Sequence, residues 1–299
     1  MTRIDFKDDD GNIKVSGDIP SAWDEMTAQQ VQFVFREYGR CLSGEISPMM
    51  LSLEIMYNFL GLGRTPGEGA AKSSKICQNL YILCEQTLGF LFIEGDKDEV
   101  PRLSFNCVMN PLPAVRSGIA RTLLTGPASL LQDLTFGEFR HASAALNAFF
   151  KSGDISELNE CIAFLYRRRS MKPNRAGRKV KPYSQDGISK DAELVASIPD
   201  WQKNLIMMWF SACIGYLQTG KLTLNGEEVD LSKLFSGDGS GKGPSFTWND
   251  ILVQIARDNT IGNIDRVDEE PLFSIIAIMW TNHKEAVRYE KSSSKPAKS

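Results

Sequence analysis

Histidine is scarce in this 299-residue chain, which has only His141 and His283. Neither has another His or a Cys three or four residues away, so the helical spacing used by zinc ligands is missing. Each reads as a neutral side chain at a helix surface or core edge. There is no C-x-x-C, and the six cysteines (Cys41, Cys77, Cys84, Cys107, Cys161, Cys213) are scattered, mostly among apolar neighbours. That usage points to reduced, buried thiols of a cytoplasmic protein and excludes a disulfide framework. No G-x-S-x-G elbow occurs, which removes a common hydrolase signature. Long apolar runs are lacking too. The most apolar stretch, LIMMWFSACIGYL (Leu205 to Leu217), falls well short of the ~20 residues of a membrane-crossing helix and predicts a buried core helix. The opening MTRIDFKDDDG carries acids where a secretory leader would need basic or apolar residues, so no leader is expected. Net charge is small as well: −3, with a pI near 5.6, gives no global pull toward nucleic acid or anionic membrane.

Two glycine-bearing stretches invite a ligand reading and fail it. In LFSGDGSGKGPSFTW (Leu234 to Trp248), Ser236 stands where a phosphate loop needs its first glycine, and Gly243 replaces the magnesium-binding hydroxyl. Pro244 also interrupts the required strand-to-helix junction. No choice among Gly237, Gly239, Gly241 and Gly243 spells G-x-G-x-x-G, so a flexible Gly/Ser loop over 236–245 is expected. DDDGN resembles a calcium loop until its register is counted. With Gly11 sixth, Phe6 and Gly17 occupy the first and twelfth positions, and neither can coordinate.

What the chain does contain is helical periodicity with good termini. Val31, Val34, Phe35 and Tyr38 make one apolar face, and Thr27 with Gln30 forms a capping box ahead of it. Thr135 with Glu138 repeats the device before Phe139, Ala142, Leu146, Phe149 and Phe150. SGEIS (Ser43 to Ser47) returns as SGDIS (Ser152 to Ser156), each predicting a helix that ends at the glycine and a next helix capped by the last serine. Tyr57 and Tyr166 follow at the same distance. Two helical hairpins result, through duplication or through independent reuse of good turn chemistry; two copies are too few for a solenoid. TGKLT (Thr219 to Thr223) is a rougher echo that leads into strands. β-Hairpins are predicted at residues 1–20, at 90–108 between the helical hairpins, and at 222–231 around Asn225-Gly226. Helices around Trp248, Ile251, Leu252 and Ile255, and around Leu272, Ile275, Ile276, Met279 and Trp280, close the chain. Asp268, Glu269 and Glu270 sit where acids favour a helix N-terminus. Trp23, Trp201, Trp248 and Trp280 read as core residues that double as candidate contact anchors.

One segment stands apart. RRRSMKPNRAGRKVKPY (Arg167 to Tyr183) carries Arg167, Arg168, Arg169, Lys172, Arg175, Arg178, Lys179 and Lys181 with no acid. Removing these cations would take the formal charge from −3 to about −11, so the chain is polarised. Such density predicts an extended, mobile loop over 167–190. It is a solvated linker, a docking element for an acidic protein surface (a second copy of this chain included), or a phosphate-binding element. The absence of aromatics before Tyr183 speaks against a base-stacking platform.

The residues NPLPAVRSGIARTLLTGPASLLQDLTFGEFRHASAALNAFFKSGDISELNECIAFLYRR carry a family likeness. Asn110 to Pro113, Gly126-Pro127, Leu134 to Phe139 and Leu165 to Arg167 occur in the order of an Asn-x-x-Pro segment, a Gly-Pro step, an LTFGEF helix start and an LYR ending. In this the chain resembles proteins encoded in phages and prophages of Bacteroidetes. Ile198 to Phe235 and Trp248 to Val267 are similar to the same proteins. The resemblance implies a phage context and a tail-module role, as an assembly chaperone or minor structural component, and it transfers no catalytic residue.

The combined expectation is an α+β, mainly α protein of helical hairpins and small β-hairpins, with no parallel sheet. Its parts are an N-terminal hairpin (1–20), a helical domain (21–166), the basic loop (167–190), a second helical part (191–289) and a disordered tail (290–299). The expected function is non-enzymatic binding of phage structural proteins in the bacterial host cytoplasm or the virion, with no cofactor, metal or membrane. The rival expectation is a DNA-binding or packaging-associated protein using residues 167–181. An enzyme is the third class, and it would require a pocket uniting distant polar residues.

Overall fold

The structure, a computed structural model, describes residues 1–7, 13–63, 65–93, 100–118, 121–182, 187–224, 226–235, 248–258 and 261–293. In chain order these form β1 (Thr2–Lys7), β2 (Ile13–Ile19), α1 (Ala28–Leu42), α2 (Pro48–Phe59), α3 (Glu68–Ser73), α4 (Lys75–Thr87), β3 (Phe92–Ile93) and β4 (Arg102–Leu103). There follow β5 (Ala114–Arg116), β6 (Leu123–Thr125), α5 (Phe136–Ser152), α6 (Ile155–Leu165), β7 (Arg167–Arg168), α7 (Ile188–Ala196) and α8 (Asp200–Thr219). The chain closes with β8 (Lys221–Leu224), β9 (Glu227–Asp230), α9 (Ser232–Phe235), α10 (Trp248–Arg257), α11 (Ile264–Glu269) and α12 (Leu272–Ser293). Every strand pairing among the described residues is antiparallel, in sheets of two or three strands, so the fold is α+β and mainly α.

Contacts divide the chain at Leu112/Pro113 rather than at residue 166. The first unit comprises Met1–Leu112 with Pro199–Trp209, and the second Pro113–Ile198 with Phe210–Ser299. In the first unit the Thr27–Gln30 capping box opens α1, as its sequence predicts, and Val31, Val34 and Phe35 are buried. Phe35 and Phe105 meet Trp23, whose ring centroid lies 4.7 Å from that of Phe105. The indole N–H of Trp23 donates to the Ser104 carbonyl, which satisfies its one polar atom in the core. The 199–209 segment supplies Leu205, Ile206 and Trp209, and Trp209 Nε1 donates to Val108 O at 3.1 Å.

In the second unit α5 and α6 form the helical hairpin, with Phe136, Phe139, Ala142, Leu146, Leu158 and Ile162 inside. Phe139 packs edge-on against Phe210 and Trp248, at 6.0 and 4.7 Å between centroids. The starts of α5 and α12 are tied by backbone bonds, Phe136 N to Glu270 O and Leu272 N to Leu134 O. The three-stranded sheet runs in the order β5-β6-β7. Its β5-β6 arm directly follows the NPLP segment, where no strand is legible in the sequence.

The repeated hairpin signal holds at the turn and fails beyond it. Gly44 and Gly153 both adopt positive φ, 75° and 71°, and both capping boxes form. Ser47 caps α2, but α6 is capped by Asp154, two residues earlier than the expected Ser156. Tyr57 lies within α2, with its hydroxyl near Cys77 Sγ, whereas Tyr166 caps the end of α6 with its ring against Gly126. The likeness is therefore one of turn chemistry. The six cysteines are free and buried. Helix α12 continues to Ser293, through the start of the segment expected to be a disordered tail. Residues 236–247 and 294–299, with the Gly/Ser loop and the end of that tail, lie outside the described residues, as do the Asp-Gly turn of the first hairpin, Tyr183 and Asn225.

Candidate functional site

Helix α6 ends at Leu165, and Tyr166 closes its last turn by donating its N–H to Ile162 O. The chain then enters β7, reverses and returns beside itself. Arg169 bridges Val180, Ser170 N donates to Lys179 O at 3.0 Å, and Lys181 N donates to Arg168 O at 2.9 Å. Asn174 N to Arg178 O and a left-handed Gly177 (φ 84°) shape the reversal. Residues 167–182 thus form a hydrogen-bonded antiparallel excursion rather than the extended loop that like-charge repulsion predicts. The repulsion is relieved by a counter-charge from another element.

That counter-charge is Glu138. Arg167, Arg178 and Glu138 are all buried, with 1%, 4% and 2% of their surface exposed. Arg167 donates to Glu138 Oε1 and to Lys181 O. Arg178 donates to Thr125 O and Leu165 O, and its Nη1 lies 3.8 Å from Glu138 Oε2. Asn174 Nδ2 and the Thr135 amide complete the carboxylate's shell. Burial lowers the Arg178 pKa to about 10, against the opposing pull of Glu138. One residue therefore closes the α5 capping box and anchors two arginines. The sequence shows only the first role.

The eight basic residues separate into two groups. Arg167 and Arg178 are committed inside, Arg175 pairs with Glu270, and Arg168 pairs with Asp191 at 3.2 Å near solvent. Arg169, Lys172, Lys179 and Lys181 are exposed and form no ion pair among the described residues. The paired group holds the excursion in place, and the unpaired group is presented to solvent.

Beside the excursion lies a cleft of about 800 Å³, walled by α5, residues 170–182 and α11. Arg140 grips Asp268 through both carboxylate oxygens, at 3.2 and 2.6 Å, and donates to Asn249 Oδ1 at 2.9 Å. The His141 ring stacks on Phe164 at 5.3 Å, and burial, reinforced by Arg140, lowers its pKa. Asp268 and Glu269 end α11 and Glu270 caps it, directly ahead of the N-terminus of α12, which brings Asp268 to Arg140 and Glu270 to Arg175. The sequence offers no sign of these pairings, because the partners lie far apart along the chain. Glu138 is held by two arginines, and Asp268 and Glu270 by one each, so these acids and bases neutralise one another.

Elsewhere, Trp23 is fully inside, while Trp201, Trp248 and Trp280 are half-buried, with Trp280 Nε1 donating to Glu227 at 3.2 Å. Among the described residues no group of three or more His, Cys, Asp or Glu is placed to hold a metal ion, and no helix is long and apolar enough to cross a membrane. No protein-family model, curated protein or solved structure matches the chain.

Proposed function

We propose that this is a non-enzymatic phage or prophage protein that binds other virion proteins during tail assembly, as a chaperone or a minor structural component, in the host cytoplasm or the particle. The observation that carries the reading is the division of the basic residues. Arg169, Lys172, Lys179 and Lys181 face solvent on an excursion whose other arginines are fixed by Glu138, Glu270 and Asp191. A preformed cationic surface gives up little conformational freedom on docking, and it steers an acidic partner into register. Engagement of the cleft carboxylates Glu138 and Asp268 by arginines supports contact over turnover, since a general base needs a lone pair within reach of substrate.

The same four cations suit phosphates, which keeps a DNA-binding or packaging role as the second reading. The carboxylates of Asp265 and Glu269, which line one cleft with Lys172, favour a protein partner over a phosphate backbone. The test is affinity purification of the tagged chain from prophage-induced cells, with a variant carrying Arg169→Glu, Lys179→Glu and Lys181→Glu. Tail-module proteins recovered with the parent and lost with the variant support the proposal. Salt-steepened retention of DNA in a gel-shift titration, without tail proteins, overturns it in favour of the rival.

A further inference from the structure

The cleft contains two charges that its own walls do not use. Lys172, from the excursion, and Asp265, from α11, are both exposed and form no ion pair among the described residues. Next to Asp265, Ile264 is 48% exposed and contributes an apolar surface to the same cleft. Pro173 and Pro182 line it as well. The volume falls in the range of roughly 300–1,000 Å³ typical of ligand-taking clefts.

The charge pattern decides the class of occupant. Three cations, Arg140, Lys172 and Arg175, face four carboxylates, Glu138, Asp265, Asp268 and Glu269. Arg140 and Arg175 are already bound to Asp268 and Glu270. A free phosphate or small carboxylate therefore meets one open cation, Lys172, with the carboxylates of Asp265 and Glu269 in the same lining. A nucleic-acid strand that reached Lys172 in the cleft would bring its phosphates against Asp265 and Glu269. An extended polypeptide of mixed charge meets neither obstacle. It can set an acid against Lys172, a base against Asp265 and an apolar side chain on Ile264.

We infer that this cleft is the seat of an extended, mixed-charge peptide segment of the protein partner. The inference rests on the protein-binding reading above and assigns it a second contact point. In this picture the exposed cations of the excursion attract the partner, and the cleft selects its segment. The ion pairs Arg140–Asp268 and Arg175–Glu270 keep the walls in place before the segment arrives.

The probes are three fluorescein-labelled decapeptides, of Glu/Leu, Lys/Leu and mixed Glu/Leu/Lys composition, titrated by anisotropy with the full chain. Single-stranded DNA and inorganic phosphate serve as competitors. The mixed peptide is expected to bind best. Its affinity should drop at least tenfold in Ile264→Glu and in the pair Lys172→Glu with Asp265→Lys, all at exposed positions, so that unfolding midpoints stay at the parent value. The inference is overturned if none of the peptides binds, if the Glu/Leu or Lys/Leu peptide binds as tightly as the mixed one, if these variants bind the mixed peptide undiminished, or if DNA or phosphate displaces it. Tail-protein recovery that survives Ile264→Glu but is lost with the excursion variant would refute the cleft assignment alone, leaving the functional reading intact.

Discussion

Glu138 takes part in the start of α5 and in the burial of two guanidinium groups. Its removal exposes a sharp asymmetry, because breaking a buried ion pair from one side leaves uncompensated charge. Glu138→Gln keeps the shape and the cap, yet it should destabilise the protein by about 3–5 kcal/mol in urea unfolding. Exchanging an exposed cation such as Lys179 for Ala should shift stability by no more than ~0.5 kcal/mol. The buried thiols give a second residue-scale expectation. Burial holds the Cys84 thiol at about 12 against an ordinary 9.0, and Cys41, Cys107 and Cys161 are raised by the same cause. The unfolded chain loses these protons first, so the stabilisation is complete below the ordinary thiol pKa and declines as pH rises from there toward the folded value. Urea midpoints measured from about pH 8 to pH 11 should fall across that window, and less so in a Cys84→Ala variant compared with its own neutral-pH midpoint.

The elements whose ends are fixed by local chemistry were legible from the sequence. Thr27, Thr135, Gly44 and Gly153 act on neighbours within a few residues, and all four sit as their patterns predict. Gly153→Ala should destabilise by about 1 kcal/mol through its left-handed backbone, and Thr135→Ala by about as much through the lost cap. Gly126→Ala should be worse, because an added Cβ would lie 2.5 Å from the Tyr166 ring, which is itself buried. Thermal unfolding of the three variants checks that order. The signal vanished where the determining contact is remote. Strands β5 and β6 have few residues each, and β7 is recruited from beyond two helices. The basic excursion is shaped by Glu138, which no neighbouring residue announces. The cleft joins α5 to α11 across more than a hundred residues of chain, and Asp268 or Glu270 could not be assigned an arginine from spacing.

At the scale of the whole molecule, the division of the chain matters more than its length. The first unit is built from two separated stretches, Met1–Leu112 and Pro199–Trp209. A fragment ending at Leu112 lacks Leu205, Ile206 and Trp209, each at most 1% exposed in the intact protein. It should therefore fail to show a cooperative unfolding transition by circular dichroism, and adding a 199–209 peptide at high concentration should partly restore one. Synthesis makes the same demand in time. At translation rates of roughly 5–20 residues per second, about ten seconds separate the emergence of Leu112 from that of Trp209. Throughout that interval the nascent first unit has an unfilled apolar slot, open to holdase chaperones or to a neighbouring ribosome's product. Rare codons placed between the two stretches should lower soluble yield, whereas the same codons after Trp209 should not.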